Sequence, residues 1–391
     1  MQGGMKQEYG RGVMALCAVL LLAGCTLSNS LRPEPVDSVW GGAAATRPVF
    51  FATDREPEGD SFGLNWGAAL RCGRVDVDIP SVAQPGQNPA VISESCDRAA
   101  SLAAFAQQIQ GAARAMNCNR VLLMVHGYNA TFATGLLRAG QLALDTQWSC
   151  ATLMFGWSSE GRFNRYAADI ERSGYAVPAL IALMREVNAA GLSVNVIAHS
   201  MGARIVLGAT GALCQEGRGK VEQMILSAAD VSAQDGNDDF GHLLKRASDC
   251  VTRTTLYSSD NDMALVTSES FHGGVPRAGR IPLHNLQYAT GHGVVDVVDA
   301  SRAPGDPAGH SYFTHAYEMA RDMMWALAGT PAAARATPGG PAGQTLTCLD
   351  WETSSCATGG GRYELAVTRD RQPDRGPRLA RRLWSLIFPV Q

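Results

Sequence analysis

Six short apolar runs punctuate the chain: Val121–Val125, Thr152–Phe155, Val194–Ala198, Met224–Ser227, Thr254–Tyr257 and Val294–Val298. A strand that is apolar at consecutive rather than alternate positions must be covered on both faces. Most of the gaps between these runs carry helical patterns, so the expected fold is α/β, a parallel sheet with crossover helices on both sides. Val75–Ile79 differs. It alternates apolar and acidic residues and meets Pro80, as an antiparallel edge strand does. Ser101 stands where it would cap a helix in which Leu102, Phe105, Ile109 and Met116 recur near the helical period. No internal repeat is visible.

With 391 residues, 46 % of them hydrophobic, the chain can bury a full core. Its net charge of −3 provides no basic surplus to hold nucleic acid. After Ala328 the composition shifts to Ala, Gly, Thr and Pro, which reads as a linker. A Cys-bracketed segment follows, then a tail with six Arg between Arg369 and Arg382 that reads as a solvated or disordered end. The expected organisation is therefore a folded domain over 47–328 and a partly disordered extension over 329–391.

The N-terminus reads as an address. Lys6 and Arg11 precede the uncharged stretch Val13–Leu22, too short to span a bilayer, and small residues lead to Cys25. Leu22-Ala23-Gly24-Cys25 resembles the bacterial lipobox, which implies a signal peptide over 1–25 and a lipid anchor at Cys25. Thr26, rather than an Asp, suggests the outer membrane facing the periplasm, a soluble periplasmic form being the alternative. Residues 26–46 would then form a flexible tether.

Export places the cysteines in an oxidising compartment. Ten Cys less Cys17 and Cys25 leaves eight, an even number with no paired C-x-x-C of a zinc site. Cys118 and Cys150 each lie just before a strand, and neighbouring strands would bring them together. Cys214 and Cys250 bear a similar relation to later strands. Cys348 and Cys356 would close a small loop, leaving Cys72 with Cys96.

The chemistry concentrates at Ala198-His199-Ser200-Met201-Gly202, between a strand and a helical pattern. Strand, small-x-Ser-x-small, helix is the nucleophile elbow: a turn so tight that Ala198 and Gly202 must be small. It lifts the Ser200 hydroxyl clear of the sheet and aims a helix N-terminus at a developing oxyanion. Met201 would donate one backbone N–H to that oxygen. Tyr128, in the loop after His126-Gly127, would donate the other. His126 comes too early in the chain for the base and reads as structural.

A serine hydroxyl needs a base and an orienting carboxylate, here in the order Ser, acid, His. His310 follows the strand Val294–Val298 and a Pro/Gly loop; His315 falls inside a helical pattern, and His292 precedes its strand. Asp262, Asp260 and Asp230 all follow strands and compete as the acid. Trp157, Phe163 and Tyr166 would line an acyl pocket or pack a loop. Arg55 and Asp169 read as a structural pair. No dinucleotide fingerprint, phosphate loop or metal-binding His cluster is present in the sequence, so no cofactor and no metal are expected.

In order along the chain, these stretches resemble the bacterial esterase/lipase-like α/β-hydrolases, a family of unknown function. The resemblance rests on Val49–Arg55, His126-Gly-Tyr-Asn129, Phe155–Gly161, Ile197–Gly202, Tyr257–Leu265 and Gly309–Phe313. It implies an α/β-hydrolase fold with a sheet of about eight strands. It also places the acid at Asp262, two before Ala264-Leu265. Ser158 departs from the pattern, which has Pro after the Trp. The expected activity is hydrolysis of a small-molecule or lipid carboxylic ester through a Ser200–His310–Asp262 triad. The alternatives are an amidase or peptidase-type acyl hydrolase, and a non-catalytic envelope-anchored binding protein.

Overall fold

The computed structural model describes residues 45–79, 91–161, 165–233, 239–280, 295–306, 308–340, 342–349, 356 and 361–367. The signal peptide, lipobox and nearly all of the tether, together with Phe163, His292 and the Arg-rich tail, lie outside the described residues.

In chain order the strands are β1 Ala45–Glu58, β2 Ser61–Ile79, β3 Ile92–Ser95, β4 Arg120–Val125, β5 Ala151–Gly156, β6 Ser193–His199, β7 Val221–Ser227, β8 Val251–Ser258, β9 Val295–Asp299, β10 Leu346–Cys348 and β11 Arg362–Leu365. The helices are α1 Ala99–Ala115, α2 Phe132–Asp145, α3 Tyr166–Ala189, α4 Met201–Gln215, α5 Phe240–Ala247, α6 Met263–Phe271, α7 Tyr312–His315, α8 Tyr317–Leu327 and α9 Ala332–Ala336. One sheet holds eleven strands, in the order β10-β11-β9-β8-β7-β6-β4-β5-β1-β2-β3. From β11 to β1 every neighbouring pair is parallel. The expectation of about eight strands thus matches the parallel part alone. The rest are antiparallel additions at the two edges, β2 and β3 at one and β10 at the other.

The continuous apolar runs are explained by the strand period of two. Val121, Leu123 and Val125 of β4 enter one core, beneath α1, α3 and α4, with Leu102, Leu180 and Ile205. Leu122 and Met124 enter the other, beneath α2 and α8, with Phe132, Leu136 and Met319. Each run therefore supplies both faces. Along Val75–Ile79, by contrast, Val77 and Ile79 are buried while Asp76 and Asp78 are exposed, and β1 pairs there antiparallel. Ser101 does not cap α1: the N-cap is Arg98, and Ser101 Oγ, already inside the first turn, donates to Arg98 O at 2.9 Å.

The boundary expected at Ala328 falls too early. β10 and β11 extend the sheet beyond it, with β11 parallel to β9. Arg335 of α9 is fully buried, donating to Asp322 on α8 and to Thr255 on β8. Tyr257 and Thr345 donate to the same Asp322 carboxylate. A guanidinium between carboxylates and hydroxyls holds this segment to the domain; Ala, Gly and Pro around it only looked like a linker. All four expected disulfides are formed: Cys72–Cys96, Cys118–Cys150, Cys214–Cys250 and Cys348–Cys356.

The topology places the site. From β4 the chain passes to β5 on one side, then crosses back to β6 on the other, and β7 to β9 continue away. In an open α/β sheet, the crevice outside the carboxyl ends of the strands at such a reversal is where ligands bind. Here it lies between the ends of β4 and β6.

Candidate active site

At the end of β6, Ser200 has φ 53° and ψ −123°, a left-handed backbone that a side-chain-bearing residue adopts only under constraint. The constraint is visible on both sides. Ser200 N–H donates to Ser227 O on β7 at 3.0 Å, and Ser200 O accepts from Ala203 N at 3.0 Å and Asp230 N at 3.1 Å. The side chain makes no capping bond to α4, so a helix-capping role is excluded and the hydroxyl remains available.

Close approach explains the glycines. A Cβ on Gly202 would stand 2.6 Å from the carbonyl oxygens of Val125 and His126; one on Gly127 would stand 2.8 Å from Ser200 Cβ. The elbow and the loop after β4 thus interlock, and any larger residue at either position would drive them apart.

His310 and Asp262 meet as expected, Nδ1 to Oδ2 at 2.7 Å. Asp262 is fully buried and caps α6, its Oδ1 accepting from Leu265 N at 3.0 Å. Burial pulls the His310 pKa down, but the facing carboxylate outweighs it and the net shift is upward. The loop bearing His310 is tied by Asp306, whose Oδ1 accepts from His310 N at 2.7 Å and Ser311 N at 3.2 Å.

The other candidates separate clearly. Asp260 is an exposed turn residue whose N–H donates to Ser301 Oγ. His315 is exposed on α7 and donates through Nδ1 to Ser311 O. Asp230 is buried but engaged: it accepts from Arg277 Nε at 2.8 Å, and from Tyr166 and Ser268 hydroxyls at 2.6 Å each. Although burial pushes its pKa up, Arg277 and the hydroxyls hold it below the ordinary carboxylate range. His126 is buried and stacked on Trp157, with burial lowering its pKa to about 3, so it is neutral and structural. His199 is likewise neutral through burial; its Nε2–H donates to His310 O at 3.2 Å while its ring stacks on Phe313 at 4.3 Å. It therefore steadies the loop that carries His310.

Trp157 is fully buried and donates from Nε1 to His126 O at 2.7 Å, which settles it as loop packing; Tyr166 faces the cleft. Arg55 and Asp169 form no direct ion pair. Arg55 donates to Gly63 O and Ala130 O, and Asp169 accepts from Ser159 Oγ and Glu160 N. Both brace the loop that follows Tyr128.

Ser200, His310, Tyr128 and His199 line one cleft of about 870 Å³, counting its open mouth. Met201 is buried at the first position of α4, and Ala198, the last residue but one of β6, is buried as well. Tyr166, Phe271 and Leu265 form an apolar wall, with Tyr128 edge-on to Tyr166 at 5.3 Å and Phe271 stacked on it at 5.4 Å. Arg138, Asp306, Ser268 and Arg277 were not singled out from sequence. Only Asp306 carried a usable signal, an Asp in a Pro/Gly loop next to His310.

A family model described as an alpha/beta hydrolase of unknown function (DUF900) matches residues 101–326. No curated protein matches the chain.

Proposed function

The chain belongs to the α/β hydrolases of unknown function (DUF900), and we propose that within that family it is a serine hydrolase that cleaves carboxylic esters. One observation carries the reading: an uncapped Ser200 on a left-handed turn shares a cleft with an imidazole whose Nδ1 is engaged by a buried carboxylate. With Nδ1–H committed to Asp262, Nε2 of His310 is the basic nitrogen. It takes the Ser200 proton as the oxygen attacks the ester carbonyl. Backbone N–H groups of Tyr128 and Met201 stabilise the tetrahedral oxyanion, the second aided by the N-terminus of α4. His310 then protonates the departing alcohol, leaving an acyl-Ser200. Water, deprotonated by the same imidazole, attacks the acyl group, and Ser200 regains its proton as the acid leaves. Side chains, backbone and water balance the reaction without a cofactor.

The test is covalent labelling with a fluorophosphonate, followed by turnover of a short p-nitrophenyl ester. Ser200→Ala should abolish labelling and lower turnover by up to about 10⁶-fold, the scale of triad knockouts. An unchanged rate removes Ser200 from the mechanism.

We also propose that the enzyme works as a lipoprotein on the periplasmic face of the outer membrane, anchored through Cys25. Four disulfides fit an oxidising compartment. Metabolic labelling with a fatty acid should mark the protein and be lost in Cys25→Ser; equal labelling of both would refute the anchor.

A further inference from the structure

The cleft holds one cation that the mechanism does not use. Arg138 projects from α2 and is the only Arg or Lys among the described residues lining the cleft. It is partly buried, and among the described residues it makes no hydrogen bond and no ion pair. A guanidinium carries five donors in a planar fork, and withdrawing it from water without partners is costly. Burial accordingly pulls its pKa down. What it does approach is the Phe313 ring, whose centroid lies 5.9 Å from the guanidinium carbon, a contact that uses none of the N–H groups in a hydrogen bond.

The neighbouring carboxylates do not satisfy it. Asp306 attracts Arg138 but lies beyond ion-pair distance, and its Oδ1 already holds the His310 and Ser311 N–H groups. Asp230 is paired with Arg277, and Asp262 with His310. Phe313 stacks on His199, and the His199 and His310 rings are 4.6 Å apart, so the free fork stands on the imidazole side of the cleft. The Tyr128–Tyr166–Phe271 cluster makes the apolar wall.

We propose that Arg138 selects esters bearing a carboxylate, pairing with that group while the apolar part of the substrate lies along Tyr128, Tyr166 and Phe271. A planar fork matches a carboxylate through two parallel hydrogen bonds. One cation also balances one negative charge, whereas a dianionic phosphoryl group would leave excess charge facing Asp230 and Asp306. The inference rests on the serine-hydrolase reading of Ser200 for its chemistry, but the anion site is measurable without turnover.

Two matched pairs of substrates test it: monoethyl glutarate against ethyl valerate, with the charge on the acyl side, and O-acetyl-4-hydroxybutyrate against butyl acetate, with the charge on the alcohol side. The readout is the charged-to-neutral ratio of kcat/KM. In at least one pair Arg138→Gln should lower that ratio by roughly 10- to 100-fold, the scale of a charge-assisted hydrogen bond. Arg138→Lys, which keeps the charge and loses the fork, should fall between. An unchanged ratio in both pairs, or a phosphate-bearing ester preferred to its carboxylate counterpart, overturns the assignment. Binding of glutaramate, the monoanionic monoamide of glutarate, to the full chain, measured by calorimetry, separates the two readings. If Ser200 takes up no fluorophosphonate, the hydrolase reading fails; glutaramate binding at least tenfold weaker in Arg138→Gln still upholds the anion site. If Ser200 labels and glutaramate binds both proteins equally or neither, the anion site fails and the hydrolase stands.

Discussion

Two buried carboxylates, Asp230 after β7 and Asp262 after β8, stand by the same cleft, the first in its lining and the second behind His310, and either would serve as a triad acid by sequence order alone. Their partners separate them. Asp230 faces a permanent cation, Arg277, and two hydroxyls, so its charge is fixed and fully balanced. Asp262 faces an imidazole, whose charge can appear and vanish within the working pH range. The first arrangement holds a structure; the second can respond to a proton arriving at His310. An acid is recruited to catalysis here by what it is given to hold rather than by its burial.

Isosteric substitution should break that comparison most sharply at Asp262. Asp262→Asn keeps a good N-cap for α6 but offers an amide to His310 Nδ1, favouring the wrong tautomer. Turnover of a neutral ester should fall by about 10⁴-fold, with the melting temperature nearly unchanged. A rate within tenfold of the parent would reassign the acid. Asp230→Ala should do the reverse. It strands a buried guanidinium, so unfolding in urea should show a loss of about 3–5 kcal/mol, far more than Asp262→Asn costs. If Asp230→Ala instead erased activity in protein of parental stability, Asp230 would be acting on the chemistry directly.

The contrast also marks what the sequence could and could not disclose. Ser200, His126-Gly127 and the interlocking Gly202 were legible because a tight turn imposes steric demands on consecutive residues, and those demands are written locally. His310 followed from chain order and Asp262 from the family resemblance, while two of the Cys pairs followed from strand adjacency, one from its short loop and the last by elimination. Arg277 was invisible: it reaches Asp230 because Ser232 and Arg277 form an isolated bridge between two loops, a contact with no periodic trace. Arg138 sits within an amphipathic helix, where an Arg ordinarily reads as a solvated face. β10 and β11 were missed for a related reason. Three- and four-residue strands carry too little pattern to stand out from Ala, Gly and Pro, and their place is fixed by Tyr363 and Leu346 in the core and by Arg335 beneath them.

The smallest effect sharpens the comparison through pH. His310 has its pKa raised by Asp262, so the acid limb of kcat/KM for a neutral ester should have its midpoint above the reference value of about 6.5. Activity falls as pH drops through it, because protonated Nε2 cannot take the serine proton. Stability runs the other way for this pair. A group whose folded pKa is raised stabilises fully below its unfolded value, and the contribution disappears as pH rises through the folded one. Asp230, with its pKa depressed, contributes stability that is present above the unfolded value of about 3.9 and is lost on acidification through the folded one. Urea unfolding followed from about pH 2 to pH 9 should therefore resolve two opposed slopes, the Asp230 one below about 3.9 and the His310 one on the neutral side. Asp262→Asn should remove only the upper one, and Asp230→Ala only the lower. Loss of both slopes in either variant would mean that the two carboxylates titrate as one coupled unit across the elbow.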